Sequence, residues 1–135
     1  MDVYIINNGE FVSSYDSIYH GDYRMDVGFK LSPDGKYIYN NSGNVFKCGY
    51  GRSNDIIYHR KFNKPFNSVA FDIEQNRLYM NVGERGTIYY YDYKTLEGLG
   101  TLKTLSKVNF MTVMDGKLIT IENEDGNNGI NILDI

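Results

Sequence analysis

The sequence predicts an all-β fold of repeated four-stranded antiparallel units, and three observations carry that prediction. One strand pattern occurs four times, as Val3 to Asn7 (VYIIN), Val45 to Gly49 (VFKCG), Ile88 to Asp92 (IYYYD) and Ile130 to Asp134 (INILD), with starts 42, 43 and 42 residues apart. A second pattern precedes the last three copies: a turn pair, a cation and a strand, at Asp34-Gly35-Lys36, Gln75-Asn76-Arg77 and Asp115-Gly116-Lys117. Finally, short apolar runs are separated by turn residues at intervals of about 8 to 12 positions, while a 3.6-residue apolar period is missing throughout.

Taken in chain order, residues 1–26 supply a partial unit, with the Val3 run followed by a strand over Phe11 to Ser14. The unit at 27–66 opens on Val27-Gly28-Phe29-Lys30-Leu31, whose alternation places Val, Phe and Leu on one face of a strand. After its turn come Tyr37-Ile38-Tyr39, the Val45 run and an outer strand over Asp55 to His59. The unit at 67–107 repeats the order with Val69 to Ile73, Leu78 to Met80, the Ile88 run and Gly100 to Leu105. The partial unit at 108–135 holds Val108 to Val113, Leu118 to Thr120 and the Ile130 run. We label the four strand types A, B, C and D in that order. All four stretches form one repeat region over 1–135.

Strands B and C carry apolar or aromatic residues at consecutive positions, as in Tyr37-Ile38-Tyr39 and Ile88-Tyr89-Tyr90-Tyr91, so both faces require cover. A two-layer sandwich strand usually alternates apolar and polar. Blades stacked face to face around an axis bury their central strands on both sides, so the pattern predicts about three blades of a β-propeller, a partial ring or half-propeller. Charged D strands, such as the one with Arg60 and Lys61, suit an exposed edge.

The runs LSPDGKYIY at 31–39 and IYYYDYKTLEGLGTL at 88–102 resemble the YVTN and lactonase-like repeats of β-propellers, with a looser likeness to WD40 repeats. The likeness spans 27–135. It implies an SPDG-type turn between strands A and B, met by Asp34-Gly35, and a strand C closing on Asp before a Thr-containing turn, met by Asp92 and Thr95. The second unit departs, with Glu74-Gln75-Asn76 in place of the SPDG turn, and no unit has a WD dipeptide because tryptophan is absent. The resemblance implies a fold and no catalytic residue.

Composition narrows the function classes. Seventeen acidic and fourteen basic residues are mixed along 135 positions, giving net charge −3, so no basic stripe exists for nucleic acid or an anionic membrane. The N-terminus MDVYII lacks the features of a secretory signal, and no run reaches the roughly 18 apolar residues of a membrane helix, so a soluble product is expected. The single cysteine, Cys48, can form neither an intrachain disulfide nor a cysteine-rich metal site.

In such blades the B–C and D–A loops share a rim, which directs attention to Asn41 and Asn44, Glu84 and Arg85, Asn123, Glu124 and Asp125, and His20. The stretch Glu122 to Gly129 is rich in oxygen ligands but lacks an EF-hand's alternating acids, so a polar hairpin is favoured over a calcium loop. His59 sits beside Arg60 and Lys61 and is read as solvated, while Gly49-Tyr50-Gly51 and Gly98-Leu99-Gly100 are read as C–D hairpins, not phosphate loops. No metal or cofactor is expected. The sequence therefore points to a non-enzymatic binding or assembly module whose partner is a protein or a second copy of itself. The alternative is a segment of a lactonase-like hydrolase completed by further blades.

Overall fold

The computed structural model describes residues 1–83 and 86–135. The described residues form thirteen strands and no helix, and the chain divides into two compact units, Met1–Phe62 and Asn63–Ile135.

In the first unit β1 (Asp2–Asn7) and β2 (Glu10–Asp16) pair as a hairpin. Its turn is Asn8-Gly9, both at positive φ, the conformation a two-residue type I′ turn needs. A four-stranded antiparallel sheet follows in sequential order: β3 (Phe29–Leu31), β4 (Tyr37–Asn40), β5 (Asn44–Lys47) and β6 (Ile57–Lys61). The second unit has the equivalent sheet β7 (Ser68–Asp72), β8 (Arg77–Asn81), β9 (Thr87–Asp92) and β10 (Gly98–Lys103). It adds a three-stranded sheet of β11 (Lys107–Met114), β12 (Lys117–Glu124) and β13 (Asn127–Asp134). These are the expected A, B, C and D strands in the expected order.

The consecutive apolar runs have the predicted consequence. Leu78, Tyr79, Met80 and Asn81 of β8 are all buried, as are Asn44, Val45 and Phe46 of β5, so these strands are covered on both faces. Strands β6 and β10 are mostly exposed, in keeping with edge positions. In the second unit Ala70, Tyr79 and Ile88 form one core with Val108, Met111 and Leu118, joined by half-buried Tyr90, Leu102, Val113, Leu133 and Ile135. One face of the β7–β10 sheet is thereby stacked on one face of the β11–β13 sheet.

Some boundaries differ from the sequence expectation, each for a local reason. Strand β5 ends at Lys47 because the Asp55 carboxylate accepts hydrogen bonds from the N–H groups of Gly49 and Ile56 and from the Tyr15 hydroxyl, turning the chain early. Gly98-Leu99-Gly100 lies in β10 across a register shift, not in the turn before it. Strand β3 is short. The alternation of Phe29 and Leu31 is present, but the face they occupy is exposed. Residues Asn123 and Glu124 belong to β12 and Asn127 to Gly129 to β13, leaving only Asp125-Gly126 as the turn.

Candidate functional site

Each B strand ends on a buried polar side chain that grips the incoming loop. Asn40 closes β4: its amide donates to the carbonyls of Asp26 (2.7 Å) and Gly28 (3.0 Å), and its oxygen accepts from the N–H of Asp26 and of Ser42. Asn81 closes β8, donating to the Thr87 carbonyl and accepting from the Asn67 amide. Glu122, near the end of β12 and 5% exposed, does the same with a charge. One carboxylate oxygen accepts from Thr120 Oγ1 (2.7 Å) and Asn131 Nδ2 (3.1 Å), the other from the N–H groups of Leu105 and Ser106, both at 3.1 Å. Burial pushes this carboxyl's pKa up, but the donors from Thr120, Asn131, Ser106 and Leu105 outweigh it and hold the group below the usual glutamate range.

The Glu122 grip positions Thr104 to Ser106, the connection between β10 and β11, beside the β12–β13 hairpin. Gly86 fixes the third wall: a side chain there would collide with Thr104 Oγ1 and, at 2.6 Å, with the carbonyls of Thr104 and Ser106. The Thr104 N–H donates to the Gly86 carbonyl at this close approach. The hairpin turns at Asp125-Gly126, both at positive φ. Asn123 braces it by accepting from the Gly126 N–H and donating to Asn128.

Two adjoining clefts open between these walls, sharing Leu105, Ser106, Glu124 and Asp125. One, of 430 Å³, has Glu122 at its base and Asn127, Asn128, Ile130 and Asn131 along the hairpin side. The other, of 600 Å³, is bordered by Lys103, Lys107, Thr87 and Asn123. Carboxylates and ammonium groups thus flank one rim, with exposed Leu105 and Ile130 as apolar contact points. No histidine or cysteine is among the described residues lining either cleft. Among the described residues no group of three His, Cys, Asp or Glu side chains is placed to hold a metal ion.

The remaining sequence candidates lie in the first unit or outside the described residues. His20 is exposed, its N–H donating to the Asp22 carboxylate. Asn44 is buried, donating to the Arg24 carbonyl (2.6 Å) and to Ser42 Oγ (3.1 Å), so it holds the loop from beneath. Asn41 is half-buried against Gly28. Glu84 and Arg85 lie outside the described residues. Beside His20 the rings of Tyr19, Tyr23, Phe46 and Tyr58 pack on one another, Tyr23 and Tyr58 stacking at 4.3 Å. His59 tilts against the Tyr37 ring, and burial with Lys47 and Arg60 nearby lowers its pKa. Burial, with Asp55 and Asp34 nearby, pushes the Cys48 thiol up, away from a reactive thiolate.

The sequence matches no family model and no curated protein. Solved structures resolve the fold. The β-propeller domain of Cps50 (Swd1) from Myceliophteria thermophila superposes with a TM-score of 0.67 at 16% identity, covering 99% of this chain and 47% of that one. U3-55K gives a TM-score of 0.61 at 14% identity, covering 95% of this chain and 40% of that one. The WD40 domain of Pan2 from Neurospora crassa gives 0.56 at 16% identity, covering 93% and 37%. The chain has the fold of WD40-like β-propeller blades, and it spans less than half the length of these structures. Among the described residues no helix is long and apolar enough to cross a membrane.

Proposed function

We propose that this chain is a non-enzymatic binding and assembly module of the β-propeller type, with blades near 27–66 and 67–107, which docks a protein segment on the rim of its second unit. One observation carries the reading: the two adjoining clefts are walled by loops that buried Glu122 and Gly86 hold in place, leaving Glu124, Asp125, Lys103 and Lys107 at the opening. A pre-formed polar rim with a few apolar contacts suits an extended peptide bearing charges of both signs. Asn123 acts by bracing the hairpin, and Asn41 and Asn44 by holding the corresponding loop of the first unit. His20, and Glu84 and Arg85 outside the described residues, are further candidate contacts. A second copy of the chain is the other partner.

The test uses a library of extended peptides displayed against immobilised protein. Selection of sequences with paired basic and acidic residues, and loss of their binding in the double variant Glu124→Lys with Asp125→Lys, is the expected result. Binding that is unchanged in this variant would reject the rim as the docking surface. Lactone hydrolysis by the purified chain would replace the reading with the hydrolytic one.

A further inference from the structure

We infer that the outer face of the β11–β13 sheet is a self-association surface which receives the outer face of the β1–β2 hairpin from a second copy, head to tail. This rests on the assembly half of the proposed function; the face shares Ile130 with the rim but uses neither Glu124 nor Asp125.

Strand register defines both faces. Phe110, Ile121 and Ile130 are cross-strand neighbours, as are Thr112, Ile119 and Ile132, so these side chains share one face. The opposite face carries Val113, Leu118 and Leu133 beside Met111 and Val108, and it is stacked in the core. The first face is open at its β13 side, where Ile130 is 73% exposed and Ile132 58%. Contiguous apolar surface of this kind marks an interaction site.

The repeat identifies the occupant. At the stacked interface of the second unit, one sheet presents the face of its C strand that holds Ile88 and Tyr90, and the next sheet answers with the face that holds Leu133. In the shared C-strand pattern Ile88 corresponds to Val3 and Ile130, and Tyr90 to Ile5 and Ile132; Leu133 corresponds to Ile6. The uncovered face with Ile130 and Ile132 is therefore of the first kind. It calls for a face of the second kind. The β1–β2 hairpin exposes one: Tyr4 and Ile6, with Phe11 opposite Ile6, are 63%, 57% and 63% exposed, while Val3 and Ile5 on its other face are half-buried. The two uncovered faces thus form the same complementary pair as the interface already present in the core. Because they are different surfaces, the contact is heterologous, and copies add until the assembly closes or continue as an open row.

Sedimentation velocity of the 135-residue chain over about a hundredfold range of concentration reads this directly, since self-association follows mass action. The wild-type chain is expected to associate, and Ile132→Lys or Ile6→Lys alone to weaken association by about tenfold or more. An equimolar mixture of the two variants retains one intact contact, so it must form a 1:1 dimer and stop there. Amide exchange in the wild-type chain gives a readout without substitution: protection of β13 and β1 rises with concentration. A wild-type monomer across the whole range, exchange indifferent to dilution, or variants that associate like the wild type would each overturn the inference. Glu124→Lys with Asp125→Lys, which disables the rim, is expected to leave sedimentation unchanged.

Discussion

Replacing Glu122 with alanine removes the acceptor for the N–H groups of Leu105 and Ser106 and for Thr120 and Asn131. An orphaned buried donor costs about 1–3 kcal/mol, and water entering from the 430 Å³ cleft relieves part of that for two N–H groups, giving about 2–4 kcal/mol in total. Against a typical domain stability of about 5–15 kcal/mol this is a large loss. Glu122→Gln keeps an oxygen for the two N–H groups, while its amide can face Thr120 Oγ1 and a rotated Asn131. The remaining cost is the exchange of charged for neutral hydrogen bonds, about 1 kcal/mol. Urea unfolding, followed together with amide exchange at Leu105 and Ser106, separates the two variants. The pH dependence supplies the sign. A carboxyl depressed in the folded state stabilises above its unfolded pKa of about 4.3, and the contribution is lost as pH falls through the lower folded value. Glu122→Gln should flatten that acid limb. An alanine cost no greater than the glutamine cost, or an acid limb in Glu122→Gln identical to that of the wild type, would refute the grip.

Other outcomes follow from particular contacts. Gly100→Ala places a Cβ 2.6 Å from the Tyr90 hydroxyl and 2.8 Å from its ring, so it should lower thermal stability by about 1–3 kcal/mol, while Gly129→Ala, with open space around it, should be neutral within about 0.5 kcal/mol. Gly126→Ala, forced to φ +86 in the hairpin turn, should cost about 1 kcal/mol and loosen the hairpin, seen as faster exchange at Asn127 and Asn128. Circular dichroism should report strand with almost no helix, and a helix content above about a quarter would contradict the repeat. Calorimetric titration with calcium should give no stoichiometric heat; one equivalent bound and lost in Asp125→Asn would restore the calcium-loop reading of the hairpin.

The strand order was legible because each strand type has its own local chemistry. Consecutive apolar residues mark strands B and C, whose two faces are both covered, and Asp115-Gly116 marks a tight turn by residue identity alone. The grip residues were not legible for the same reason. Sequence alone marks neither Asn40 nor Asn81 and places Glu122 in a polar hairpin, because their burial depends on a loop that arrives from another strand. A usable signal was present: an apolar strand B runs into a polar residue in every unit, at Tyr39-Asn40, Met80-Asn81 and Ile121-Glu122. Asn44 illustrates the converse error of composition. Its Asn-Ser-Gly surroundings suggest an exposed loop, yet its amide is spent on the Arg24 carbonyl inside the fold.

These grips also bear on how the rim can vary without disturbing the blades. The backbone donors of the D–A connection are satisfied from below, by Asn40 for Asp26 and by Glu122 for Leu105 and Ser106. Exposed side chains at the opening, among them Glu124, Asp125 and Lys103, then carry little of the structural load. Glu124 and Asp125 are exposed, and exposed Lys103 donates to Thr87 Oγ1. Substitutions at exposed sites of this kind usually change stability by less than about 0.5 kcal/mol. On the proposed function, partner choice is set by rim charges while loop position is set by buried acceptors. A change that alters binding without altering unfolding should therefore map to Glu124, Asp125 or Lys103, and a change that alters both should map to Glu122.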